Sequence, residues 1–209
     1  MLHGMTLVPS ESGLTWRIAR RLPNFGSKYE GCGEAGERVL IHEVWRDSEE
    51  DVERFVRAIL IARREEVTSC DHLRQLIDVI RGETRLFGVY EWADASLAEA
   101  TGEDQPPGQD LAQDVDGSIG AALRHLHDHG LVHCDVTPHN ILRVDGEWKL
   151  ADLECVVEIG TPIRGLTKLD DFRPPDVTRG DPANPSIDTY GLDAVVRWVR
   201  DQNPKPRPS

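Results

Sequence analysis

The apolar pattern of this chain of 209 residues changes its period once, near residue 92, and that change limits the folds open to it. Before it, residues 15–22 and 38–45 alternate as half-buried strands do, and the FGSKYEGCGEAGE between them carries four glycines, which suit turns better than helices. Residues 48–66 set Val52, Phe55, Val56, Ile59 and Leu60 at helical spacing, with Ser48 placed as a cap and Asp51 three residues on. Residues 73–80 and 85–92 read as two more strands joined by RGET. Beyond the polar connector ATGEDQPPGQD, Val115, Ile119, Leu123 and Leu126 predict a helix closed by Gly130 in the left-handed cap position. Short strands are expected at Val132, at 141–143 and at 148–151, then an irregular stretch over 152–185, then a last helix over 188–200 built on Leu192, Val195, Val196 and Val199. A run of strands with one helix, followed by a mainly helical half, reads as an α+β chain with its antiparallel sheet in the N-terminal part. The boundaries that follow are an extension over 1–13, a sheet-bearing part over 14–92, a helical part over 93–200 and a Pro-rich tail over 201–209.

Charge and composition remove several classes of function. A net charge of −13 repels a phosphate backbone, so nucleic acid is not an expected partner. No stretch approaches the ~20 apolar residues that span a bilayer, and the opening MLHGMTLVPSESG lacks the basic start and apolar run of a secretory signal. A membrane is therefore not expected, and a cytoplasmic location is. Cys32, Cys70, Cys134 and Cys155 are too scattered for a metal knuckle and too few for a disulfide framework, and are expected as reduced thiols.

The chemistry concentrates between His133 and Glu154. Asp135 stands five residues before Asn140, and Asp152 lies 12 beyond Asn140, just after the short strand KLA. Such spacing can put one carboxylate beside an attacking hydroxyl while an amide and a second carboxylate hold Mg2+ against phosphate oxygens. Asp and Asn also cap turns. His125, His127, His129, His133 and His139 could suggest a metal box, but no carboxylate or cysteine completes a ligand set with them.

These residues carry a resemblance. HCDVTPHNIL resembles the catalytic loop of protein kinases, HRDxxxxN, and ADLE stands where the family has its Mg-binding DFG. LRHLHDHGLV is similar to the helix that enters that loop, GTP (160–162) and RPPD (173–176) to the end of the activation segment, and SIDTYGLDAVV to the next core helix. The resemblance implies a two-lobed protein-kinase-like fold with a small antiparallel-sheet N-lobe, one helix in it, and a shortened, mainly helical C-lobe. It implies ATP and Mg2+ as cofactors and a protein as substrate or partner. Asp135 would be the catalytic base, Asn140 and Asp152 the metal ligands, with Asn140 counted among the catalytic residues too, and Thr161 would lie near the incoming substrate. Gly26, Lys28, Leu40, His42, Glu91 and Leu142 would contact the nucleotide.

The same resemblance exposes departures. Gly26 is the one glycine kept of the family's three in its phosphate loop, Pro23 and Asn24 replacing the others, and Lys28 takes the place of a valine on the next strand. His42 replaces the phosphate-pairing lysine, and Ala58 stands where its glutamate partner would be. Removing one preorganised charge donor costs about a hundred- to a thousand-fold in rate. Leu40 and Tyr90 add bulk where adenine would lie. Thr137 replaces a lysine aimed at the transferred phosphate, Cys134 replaces the arginine that senses a phosphorylated loop, and Glu154 gives DLE, similar to small-molecule kinases. The resemblance implies that the family's later C-terminal helices would be missing, which would leave Asp176 without its arginine partner, and an apolar flank is expected to need cover from a second copy or another protein. Three readings follow: a slow Ser/Thr phosphotransferase, a pseudokinase serving as a binding module, and a small-molecule kinase.

Overall fold

The protein is described from a computed structural model that covers residues 6–7, 10–23, 27–101, 109–163 and 170–201. Asn24, Gly26 and the tail beyond Asp201 lie outside the described residues. In chain order the first elements are β1 (Thr6–Leu7), β2 (Trp16–Arg21), β3 (Lys28–Cys32), β4 (Arg38–Trp45), α1 (Glu49–Ala62), α2 (Glu65–Thr68), β5 (Leu76–Arg81) and β6 (Arg85–Glu91). They are followed by β7 (Ala95–Ser96), α3 (Leu97–Ala100), α4 (Gln109–Asp128), β8 (Leu131–Val132), β9 (Ile141–Val144), β10 (Glu147–Leu150), β11 (Val157–Glu158) and α5 (Pro185–Arg200). The chain divides into two compact units, Met1–Arg63 with Gln75–Trp92, and Arg64–Arg74 with Ala93–Ser209.

In the first unit an antiparallel sheet runs in the order β1-β2-β3-β4-β6-β5. Alternation along β4 splits its side chains between two cores. Val39 and Ile41 join Trp16, Ile18, Tyr29, Ile80, Phe87 and Val89, whereas Val44 joins Phe55 and Ile59 of α1 with Val79 and Leu86. Strand β3 lies within the glycine-rich stretch that residue patterning assigns to turns. Its Gly31 is there for close packing, since a Cβ would meet Ile41 Cδ1 at 2.4 Å. The 1–13 segment supplies β1, and Ser10 bridges Ile80 at the opposite edge of the sheet. Buried Asp78 fastens this segment by accepting from Ser12 N at 3.2 Å, Ser12 Oγ at 2.5 Å and Trp16 Nε1 at 2.7 Å.

Helix α1 is capped as expected, Ser48 Oγ accepting from Asp51 N at 3.3 Å, but it stops at Ala62 rather than running to Glu66. Arg64 is extended there, and a separate turn, α2, buries Val67. Strand β5 begins at Leu76 rather than Leu73. The reason is a competing ladder: Arg74 N donates to Leu150 O at 2.9 Å and Leu150 N to His72 O at 2.8 Å, which draws residues 72–74 onto β10.

In the second unit α4 buries Ala112, Val115, Ile119, Ala122, Leu123 and Leu126, and Gly130 follows with φ +75°. Helix α5 starts three residues earlier than its apolar spacing suggests, because Asn184 caps it through Ser186 N at 3.0 Å and Pro185 takes its first position. On α5 itself the apolar residues Leu192, Ala194, Val195, Val196, Trp198 and Val199 are all buried. Its solvent face is a stripe of Ser186, Thr189, Asp193, Arg197 and Arg200. Among the described residues no helix is long and apolar enough to cross a membrane.

Candidate active site

The loop over 133–140 leaves β8 with a non-glycine residue in left-handed conformation, Cys134 at φ +65°. Such a conformation costs about 1–3 kcal/mol unless its surroundings hold it. They do so through Asp188 of α5, fully buried, whose Oδ2 accepts from His133 N and whose Oδ1 accepts from Cys134 N, each at 2.8 Å. His127 Nε2 lies 2.8 Å from the same Oδ2. Three partners offset the desolvation of one carboxylate, and the two loop amides are thereby fixed. Burial first, and the Asp188 charge second, push the Cys134 thiol well up.

His133, also fully buried, ties the loop to the following turn. Its Nδ1 accepts from Asp135 N at 3.3 Å, which leaves Nε2 to donate to Ala151 O at 3.1 Å. The two bonds together assign the neutral Nε2–H tautomer. Asn140 Nδ2 donates both to Asp135 O at 3.0 Å and to Asp135 Oδ2 at 2.8 Å, so the two residues form one polar unit.

Hairpin register then brings Asp152 to Asn140. Strands β9 and β10 pair Ile141 with Leu150, and one step further Ala151 N donates to Asn140 O at 2.8 Å. Asp152 is the next residue. Its φ of +67° turns the chain into a short 3-10 turn over Leu153–Cys155, which it caps by accepting from Glu154 N at 3.4 Å. The carboxylate is exposed and Asn140 is half-buried. An amide oxygen and a carboxylate at one hairpin end suit Mg2+, which keeps several waters and takes few protein donors. Among the described residues no group of three His, Cys, Asp or Glu gathers as a metal cage. Four of the five histidines are spent elsewhere, His125 on Glu66 O, His129 on His125 O at 2.7 Å, and His127 and His133 as above, and His139 is exposed. Thr137 is buried, Leu142 sits half-buried on β9 opposite Lys149, and Thr161 holds its own turn by donating to Glu158 O at 2.6 Å.

In the first unit Lys28 and His42 face each other across β3 and β4. On the α1 side of the sheet the cross-strand pairs are Leu40 with Tyr90, His42 with Gly88 and Val44 with Leu86. The Tyr90 ring folds over Gly88, where a Cβ would meet its Cε2 at 2.7 Å. The His42 ring stands edge-on to Phe55, 5.7 Å between centroids at 88°. An aromatic contact therefore joins β4 to α1 at the position where the resemblance implies a lysine–glutamate pair. Ala58 is buried, and the α1 acids Glu50 and Glu53 pair with Arg54 and Arg57 one turn on. Glu91 is held by Gln75, whose N–H reaches its Oε2 at 2.9 Å.

Sequence reading passed over two buried acids. Asp188 stands at the start of the expected last helix, on the same helical face as Leu192, Val195 and Val199, where a carboxylate needs a reason. Glu43, on the sheet face away from His42, accepts from Tyr29 Oη at 2.6 Å and Arg85 at 2.9 Å. Burial and that carboxylate push the Tyr29 hydroxyl up to about 12.

The family described as protein kinase domain matches residues 24–204. The chain is 32% identical over 97 residues to serine/threonine-protein kinase SBK2 of Mus musculus, covering 42% of this chain and 27% of that protein. It is 23% identical over 181 residues to serine/threonine-protein kinase 36 of Pongo abelii, covering 83% of this chain and 14% of that protein. With the SNF1-like protein kinase ssp2 of Schizosaccharomyces pombe the identity is 27% over 129 residues, 60% of this chain and 22% of that protein. The chain thus spans less than a third of the length of each of these relatives.

Proposed function

This chain belongs to the protein kinase domain family, and we propose that it is a Mg-ATP-dependent phosphotransferase acting on serine or threonine hydroxyls of a protein. The observation that carries the reading is the polar unit of Asp135 and Asn140 joined by hairpin register to Asp152. Bound Mg-ATP supplies the phosphoryl group and neutralises charge on its oxygens. Asp135 Oδ orients the acceptor hydroxyl and takes its proton. Asn140 and Asp152 would hold the cation, while Asn140 Nδ2 keeps Asp135 in place. His133 fixes the Asp135 backbone against Ala151, and Asp188 fixes the loop beneath both. Phosphate pairing falls to Lys28 or His42, and adenine contacts to Leu40, Glu91 and Leu142. The proposed setting is the cytoplasm, where thiols stay reduced.

A second reading, a binding module without turnover, is favoured by the His42–Phe55 contact and by the Tyr90 ring over Gly88, which occupy space beside the strand position of the missing lysine. A thermal-shift titration separates the two, since a ligand of the native state raises its melting temperature. The phosphotransferase reading expects a Mg-dependent rise with ATP that Asp152→Asn abolishes, followed by labelled protein product from radiolabelled ATP. No rise in the wild type leaves the binding module.

A further inference from the structure

Within the second unit a groove of about 570 Å3 lies between the first half of α4 and the β9–β10 hairpin. Its size is that of a ligand-binding cleft. Leu111, Asp114 and Gly117 line it from the helix, and Arg143, Glu147 and Trp148 from the hairpin. It sits at the turn end of that hairpin, the end away from Asn140 and Asp152, and is separate from the proposed active site. Gly117 lies inside α4, where glycine is destabilising relative to alanine. A Cβ there would meet nothing within 4 Å, so no packing in the fold asks for glycine. A bare backbone facing a groove admits the close approach of another segment. The groove is also negative. Asp114 and Glu147 on its walls are exposed, as are Asp116 and Asp145 beside them. Among the described residues lining it, Arg143 is the one exposed cation, its guanidinium 5.9 Å from the centroid of the Trp148 ring.

Chain direction and charge together name the occupant. Helix α5 runs antiparallel to α4: His127 meets Asp188 at 2.8 Å, and a Cβ on Gly120 would lie 3.7 Å from Leu192. From Leu192 to Arg200 the helix rises a further ~12 Å, toward the α4 turns that hold Asp114 and Gly117. Beyond Asp201 the sequence continues QNPKPRPS, with Lys205 and Arg207 set between Pro204, Pro206 and Pro208. Extended at ~3.1 Å per residue, residues 202–208 reach ~20 Å, more than the ~10–12 Å width of a helix. Alternate prolines limit the entropy lost on binding, and such segments lie well on grooves that offer an aromatic wall. We propose that the groove between α4 and the β9–β10 hairpin is a docking site for a basic, proline-bearing segment, occupied by residues 202–208 of the same chain. Lys205 and Arg207 pair with Asp114 and Glu147, and the prolines pass over Gly117 onto Leu111 and Trp148. This docking does not depend on the phosphotransfer reading above.

Carbodiimide cross-linking of the full chain, read by mass spectrometry, tests this. The reagent joins an amine only to a carboxylate it touches, and Lys205 is one of four lysines. Mixing isotope-labelled and unlabelled chains separates links within a chain from links between copies. The expected result is a link within one chain from Lys205 to Asp114, Glu147 or their neighbours Asp116 and Asp145. Its yield should fall at least fivefold in about 1 M salt, which screens charge pairs. Gly117→Arg should lower the yield as much, because it fills the groove with a like charge and leaves the four carboxylates in place. Arg207→Glu should lower it too, and this variant alters no residue of the described structure, so it decides the matter even if Gly117→Arg fails to fold. A link from Lys205 to any other carboxylate, a link to a second copy, or no link at all overturns the proposal. So does an unchanged yield in high salt or in a folded variant.

Discussion

At the residue scale, a few buried carboxylates decide the local architecture, and each works by collecting donors. Asp188 gathers two loop amides and a histidine, Glu43 a phenol and a guanidinium, and Asp78 a hydroxyl, an amide and an indole. For Asp78, burial alone would raise its pKa, but the hydrogen bonds from Ser12, Trp16, Ser10 and Val79 outweigh it and hold the pKa below the ordinary aspartate value. A group depressed in the folded state stabilises it above the unfolded pKa of about 3.9 and loses that contribution as pH falls through the lower folded value. Urea denaturation at stepped pH should therefore show stability dropping below about pH 4. Asp78→Asn should flatten part of that drop; an unchanged acid limb would show that Asp78 does not fasten the N-terminal segment. The proposed trio Asp135, Asn140 and Asp152 was legible in the sequence because its spacing suits the proposed phosphoryl transfer. Asp188 was not legible, because its partners lie 54 to 61 residues away and no local pattern marks them.

Among the elements, α1 shows how a departure in sequence becomes a packing fact. With Ala58 in place of an acid, the helix presents Phe55 to β4, and the His42 ring packs on it. Phe55 is 1% exposed, so Phe55→Ala should cost about 3–5 kcal/mol by chemical denaturation, with faster amide exchange over Glu49–Ala62. A loss under about 1 kcal/mol would mean that α1 is held by something other than this core. Elements with a clean period, such as β4, β6, α4 and α5, were readable from apolar spacing. Those that residue patterning missed have tertiary causes. Strand β3 is masked by a glycine that serves Ile41, and α1 and β5 are trimmed because residues 64–74 join the second unit.

For the whole molecule, two small units each carry their own core, and the C-terminal one closes without an exposed apolar flank on its last helix. The polar stripe of Ser186, Thr189, Asp193, Arg197 and Arg200 makes the outer face of α5 itself a poor apolar docking surface. If a second copy covers the C-terminal unit, as the resemblance implies, sedimentation at micromolar concentration should give more than the 23.4 kDa of one chain, and a single-chain mass would count against a homo-oligomer. The sequence by itself determined the family and the α+β order and put forward the proposed trio Asp135, Asn140 and Asp152, because loop spacing and apolar period are local properties written along the chain. Only the tertiary structure decided that Asp188 underpins the loop and that an aromatic contact stands at His42. Each of these depends on residues distant in sequence meeting in one packed environment, where burial makes every polar partner and every ring contact count.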